Sequence, residues 1–212
     1  MQLPKYVYHL AEASNWPAIR REGLRSASEL IARAGLRGVK RDALERQQRR
    51  EGMELSSGVR LRDQCPMPPE ALARCLTGMT PEEWYTLVNA HVFFWLDPDR
   101  LNRQRKACGL RPQVVLTMDV ARLVAAHAKR IALTPINTGN ARRQPAKRSA
   151  ATFVPYVTWM ESAWASEAAA LGTRERARSH TPVELTVRGA VPDLAKMILK
   201  VTELGPGELF KM

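Results

Sequence analysis

The sequence predicts an α+β fold: short strands and amphipathic helices packed around a central cleft. Three observations predict it. Short runs with strand character recur, at residues 5–10, 91–96, 130–136 and 182–187. Capped helical segments lie between them. The two element types do not alternate regularly, as a doubly wound sheet requires. The Gly-rich phosphate cradles GxGxxG and GxxxxGK[ST] are also absent. The 212 residues fit one domain spanning 1–212, of a size that hides roughly 70% of its unfolded surface.

The elements follow in order. KYVYHL (residues 5–10) reads as a strand, with Val7 between Tyr6 and Tyr8. Ser14 or Asn15 caps a helix with Pro17 in its first turn and Gly23 as its stop. Ser26 and Glu29 have capping-box spacing at the head of SASELIARAGL. The following KRDALERQQRREGM is strongly basic and poor in apolar residues, a solvated helix or a loop ordered by a ligand. Residues 56–69 are loop-like, EALARCLTGM is a short amphipathic helix, and Thr80, Pro81 and Glu83 start another. His91–Leu96 is an aromatic strand stopped by Asp97-Pro98, and DPDRLNRQRKAC is a short helix. QVVLTMDVARLVAAHA is a strand running into a helix, and RIALTPI is a further strand. Residues 137–151 form a polar basic loop. One helix is expected from about Thr158 to Gly172, then the Glu184 strand, then a short helix and a closing strand in VPDLAKMILKV.

Composition narrows function. Lys and Arg number 33 against 21 Asp and Glu, a net charge of +12, which favours a polyanionic partner or an anionic cofactor. Arginine dominates lysine, and its planar fork suits phosphate. No apolar run approaches the ~20 residues of a membrane span. The N-terminus lacks a signal-peptide core, so no membrane partner and a cytoplasmic location are expected. Cys65, Cys75 and Cys108 form no zinc spacing, so neither a metal site nor a disulfide framework is expected.

Four features carry potential chemistry: Tyr8-His9 at the end of the first strand, the arginines at 46, 49 and 50, the aromatic run Phe93-Phe94-Trp95, and Glu184. Each alone has an ordinary reading: a structural histidine, a solvated charged face, core aromatics, a water-facing carboxylate. Glu184 is the most pointed. Val183, Leu185 and Val187 alternate with Glu184 and Thr186, and Glu is depleted in strands. A carboxylate on the other face either meets water or lines a cleft.

Taken in order, these segments resemble ADP-ribosyltransferases of the DarT type. YVYHLAEASNWPAIRREGL is similar to that family's opening strand and helix. RQQRREGM followed by GVRLRDQCPM resembles its Arg-containing loop, and HVFFWLDPDR its aromatic strand. SHTPVELTVRGAVPDLAKMILKV resembles its strand glutamate, "VP" and last strand. The likeness runs from residue 6 to 204, with an extra helical insert at 66–90. It implies mixed sheets around a central NAD cleft, and a transferase that moves ADP-ribose from NAD, its substrate, to a base of DNA or RNA. It also implies a bacterial or phage toxin or defence effector, with an antitoxin protein as partner. By the same resemblance Glu184 is catalytic with Arg49 or Arg50, and His9, Tyr8, Phe94 and Trp95 bind NAD. Arg142, Arg143, Lys147 and Arg148 would hold the nucleic acid. Two other readings remain open: an RNA 2′-phosphotransferase on a related fold, and a non-enzymatic nucleic-acid-binding module.

Overall fold

The computed structural model describes residues 2–142 and 144–212. The chain runs β1 (Tyr6–Glu12), α1 (Trp16–Glu22), β2 (Leu24–Arg25), α2 (Ala27–Arg33), α3 (Gly38–Glu45), β3 (Met53–Glu54) and β4 (Arg60–Leu61). It continues with α4 (Pro69–Ala73), α5 (Pro81–Asn89), β5 (His91–Trp95), α6 (Pro98–Ala107), β6 (Gln113–Asp119), α7 (Val120–His127) and β7 (Ile131–Thr134). It closes with β8 (Val154–Pro155), α8 (Tyr156–Ser162), α9 (Ala165–Leu171), β9 (Glu184–Arg188), β10 (Ala190–Val191) and β11 (Ile198–Leu204). The fold is α+β. Its main sheet has the order β11-β6-β1-β5-β9-β7-β8.

Every strand pair in that sheet is antiparallel, so the expected mixed sheets are corrected. The one parallel pairing among the described residues is the isolated Leu76–Arg148 bridge. One sheet face buries Val7, Val92, Phe94, Leu116, Leu133 and Leu185 against α7 and α8. The other packs Tyr8, Leu10 and Val115 on Leu101 of α6 and on Phe210, while Phe93 sits against a cluster containing Trp84 and Phe153. With helices or loops on both faces, β9 is buried on both sides, so the alternation read from its sequence separates two interiors rather than core from water.

The sheet has a seam. β1 and β6 are in register from Tyr6–Asp119 to Glu12–Gln113, whereas β1 and β5 meet at the single pair Tyr8–Trp95. Beyond that pair the strands part. The Phe93 carbonyl is taken up by the ring of His9, whose Nδ1 lies 2.8 Å away.

Local chemistry explains the helix ends. Thr80 and Glu83 form the complete reciprocal capping box that their spacing predicts. Ser26 accepts from the Glu29 amide at 3.3 Å, but the return arm is missing: the Ser26 amide donates to the Gly189 carbonyl at 2.8 Å and the Glu29 carboxylate takes Arg25 at 3.1 Å. The helix expected from Thr158 onward is broken at Ala163, which has φ 51°. On a continuous helix Trp159 and Trp164 would point about 140° apart. The break brings both indoles into one core, edge to face at 6.2 Å.

Candidate functional site

A cleft of about 730 Å³ opens between the sheet and the segment that follows α1, and His9, Arg49, Arg62, Phe93, Trp95 and Glu184 line it. Its volume lies within the range of small-molecule and cofactor sites.

Glu184 begins β9 and is flanked in register by Trp95 on β5 and Thr134 on β7. It is 3% exposed. Its Oε2 accepts from Thr134 Oγ1 at 2.8 Å, Thr138 Oγ1 at 2.8 Å and the Thr138 amide at 3.2 Å. Its Oε1 makes no hydrogen bond among the described residues, and the side chain lines the cleft. Three donors therefore fix the carboxylate through one oxygen and leave the other for a ligand. Burial pushes its pKa up to about 7, against the Thr138 and Thr134 hydrogen bonds and the attraction of Arg148, which favour the ionised form. The Thr134 hydroxyl also lies 2.9 Å from the Ile136 carbonyl. It has one proton, so it serves only one of these two acceptors at a time.

His9 occupies the seam. Burial, reinforced by Arg62, lowers its pKa to about 4, against the hydrogen bond to the Phe93 carbonyl. The ring is neutral at pH 7. A carbonyl only accepts, so Nδ1 carries the proton and Nε2 is an acceptor. Such a nitrogen suits a ligand hydroxyl.

Arg49 reaches the cleft and is 9% exposed. Its Nε, Nη1 and Nη2 donate to Arg62 O, Leu44 O and Asn89 Oδ1 at 3.0, 2.6 and 3.0 Å. Burial lowers its pKa to about 10, countered by Asp63. The guanidinium ties the 44–64 segment together with no carboxylate within ion-pair distance among the described residues, so a cation stands in the cleft wall with two N–H groups to spare. Arg50 faces a separate shallow depression beside Tyr85 and is removed from the candidate set.

Two cofactor expectations are also corrected. Tyr8 points away from the cleft, packs on Phe210 at 5.4 Å and donates to Met212 Sδ at 3.3 Å. Phe94 is fully buried in the main core. For Phe94 strand alternation is the reason: in β5 it is Phe93 and Trp95 that share the Glu184 side. Trp95 is held by its Nε1, which donates to Gln104 Oε1 at 2.7 Å.

The basic loop divides. Arg142 and Lys147 are exposed, and Arg143 lies outside the described residues. Arg148 is 2% exposed and is corrected from nucleic-acid contact to support. Its guanidinium packs over Trp84 and donates to the Thr138 carbonyl at 3.3 Å, holding the turn that holds Glu184. The Ala141 amide ties the same loop to the Pro66 carbonyl at 2.8 Å.

Sequence reasoning missed Thr134, Thr138, Glu12 and Arg62. Thr138 is 46 positions from the carboxylate it holds, and no local pattern reports that. Glu12, Gln113, Arg62 and Arg111 form one network at the cleft, with Gln113 Nε2 donating to Glu12 at 2.7 Å and Arg62 donating to Gln113 Oε1. Arg62 had a signal: Val59 and Leu61 are buried, so Arg60 and Arg62 face the other way.

Residues 5–198 match a family described as Family of unknown function (DUF7002). The chain belongs to the DUF7002 family. No curated protein matches it. The DUF7002 match includes the strands bearing His9, Trp95 and Glu184, the Arg49 segment and the loop that supplies Thr138. Among the described residues no three His, Cys, Asp or Glu side chains converge as metal ligands, and no helix is long and apolar enough to cross a membrane.

Proposed function

We propose that this DUF7002 protein is an NAD-dependent ADP-ribosyltransferase that modifies a base of DNA or RNA. The observation that carries the reading is the buried Glu184, anchored through Oε2 and offering Oε1 to an enclosed cleft that also holds a neutral histidine and a buried arginine. The resemblance of the sequence segments, in their order along the chain, to DarT-type chains supports the same reading, as does the seam that opens the sheet beside His9.

The residues suit the chemistry. Cleavage of the nicotinamide–ribose bond leaves its electron pair on nicotinamide and develops positive charge on the ribose, as in glycoside hydrolysis. Ionised Glu184 faces that charge and takes the proton lost by the acceptor nitrogen as the new C1′–N bond forms. A pKa near 7 suits that exchange. His9 Nε2 accepts from a ribose hydroxyl. The spare N–H groups of Arg49 meet a phosphate oxygen, and Phe93 and Trp95 offer apolar faces to a planar ring. A toxin or defence role with an antitoxin partner follows from the resemblance alone.

Incubation with NAD labelled in the adenylate, over a panel of DNA, RNA and protein, tests the reaction. Label should pass to nucleic acid and be lost by at least about 100-fold in Glu184→Gln, a change that preserves shape and removes the charge. Equal transfer by a folded Glu184→Gln protein would refute the role.

A further inference from the structure

We infer that the cleft-facing side of α6, with Arg62 and Arg111 of the same cleft, is the track along which a single-stranded nucleic acid approaches Trp95 and Glu184. Four observations carry it. Arg100, Arg103, Gln104 and Ala107 all line the cleft, and their spacing of three, four and seven places them on one face of α6. Arg62 and Arg111 line the same cleft and gather on Glu12. The four guanidiniums touch two carboxylates, Glu12 and Asp97, and Arg103 makes no ion pair among the described residues. Gln104 holds the Trp95 indole, so the basic face ends at an aromatic ring that is the cross-strand neighbour of Glu184.

The charge names the occupant's chemistry: evenly spaced anions with planar groups between them, a phosphodiester strand whose bases stack on an aromatic side chain. The burial of Glu184 requires a base that has left its stack, which a single strand supplies without the cost of unpairing, because a carboxylate that is 3% exposed cannot be reached by a base inside a duplex. Of the helix's other two cations, Lys106 does not line the cleft, and Arg105 is buried and donates to the Gly109 and Gly205 carbonyls. The track lies on α6 and thus differs from the 137–148 loop that the sequence alone suggests.

The inference rests on the proposed reaction for the purpose of the strand, not for its binding. Fluorescence anisotropy with labelled oligothymidylate DNA and oligouridylate RNA, over a salt series, reads it. ADP-ribose transfer from labelled NAD to mixed-sequence strands is followed in parallel. Arg100→Ala/Arg103→Ala should weaken binding by about 10-fold or more and lower the slope of log K against log salt by about 1.4, two contacts' worth for a single strand. Arg103→Ala alone, at an exposed and unpaired position, should lower it by about half that, with the melting temperature unchanged. Binding equal to wild type in the double variant overturns the track. So does a larger loss from Arg142→Ala/Lys147→Ala than from the α6 pair, or displacement by duplex or polyglutamate as readily as by unlabelled single strand. A wild-type protein that binds in this pattern and transfers no ADP-ribose to the strand keeps the track and refutes the reaction. One that transfers ADP-ribose to nucleic acid without binding single strands in this pattern does the reverse.

Discussion

Glu184 and His9 face one cleft with opposite proton affinities, and the two make opposite demands on stability. Folded Glu184 holds its proton up to about pH 7, while an unfolded chain releases it near 4.5. Its contribution is full below 4.5 and is lost as pH rises through 7. Folded His9 stays neutral down to about 4, while the unfolded ring protonates near 6.5. Its contribution is present above 6.5 and is lost as pH falls through 4. Between those limits the two slopes offset. Glu184→Gln, which mimics the protonated acid, should therefore be more stable than wild type at pH 8. The advantage should shrink on acidification, by about a few kcal/mol between pH 7 and 4.5. Urea titrations of both proteins across that range check it, and parallel profiles would rule out a raised Glu184 pKa. Glu184 itself was legible as a strand carboxylate out of place. Its role as a clamped acid was not, because its partners come from a loop remote in sequence.

At the scale of elements, the turn between α1 and β2 depends on one glycine. Gly23 has φ +79°, and a Cβ there would lie 2.3 Å from the Val191 carbonyl oxygen and 2.6 Å from Pro192 Cα. Both neighbours are backbone, so nothing rotates away. Gly23→Ala should cost at least about 2 kcal/mol by combined strain and overlap, read as a lower urea midpoint at unchanged slope. Its place after α1 was readable as a helix stop, but the close approach of the chain near residue 191 was not. The same division runs through the molecule. Thr80 and Glu83 announce a cap because capping is local. The strand at 113–119 passing into a helix at 120–127 is readable because hydrophobic period changes there. The break at Ala163 is invisible locally, since it serves two tryptophans that must share one core. Phe94 was assigned to the cleft that its strand neighbours Phe93 and Trp95 line, because a sequence gives alternation without saying which face is which, while Tyr8 shares the Trp95 side but is taken up by Phe210 and Met212 at the chain's end.

At the scale of the whole molecule, a net charge of +12 sets the ionic behaviour. Self-repulsion among like charges opposes the compact state and is screened over about 10 Å at 0.1 M salt. The melting temperature should therefore rise as sodium chloride is raised from about 20 to about 200 mM, the range in which screening takes effect. A scanning-fluorimetry series checks this, and a flat or falling trend would mean that specific ion pairs outweigh net charge. The α+β class and the strands β1, β5, β6, β7, β9 and β11 were legible, whereas the short strands β2, β3, β4, β8 and β10 and the antiparallel sheet order were not, because two-residue strands and pairing between distant strands leave no local mark. That order has a consequence for how the molecule responds to what it binds. Three strands, β11, β6 and β1, stand on one side of the Tyr8–Trp95 pair, and β5, β9, β7 and β8 stand on the other. His9 belongs to the first group and Glu184 to the second. A ligand touching both is a splint across a joint that the backbone leaves nearly unlaced, so its occupancy should register as slowed amide exchange along residues 9–12 and 91–93, a signal carried by the sheet itself rather than by any product.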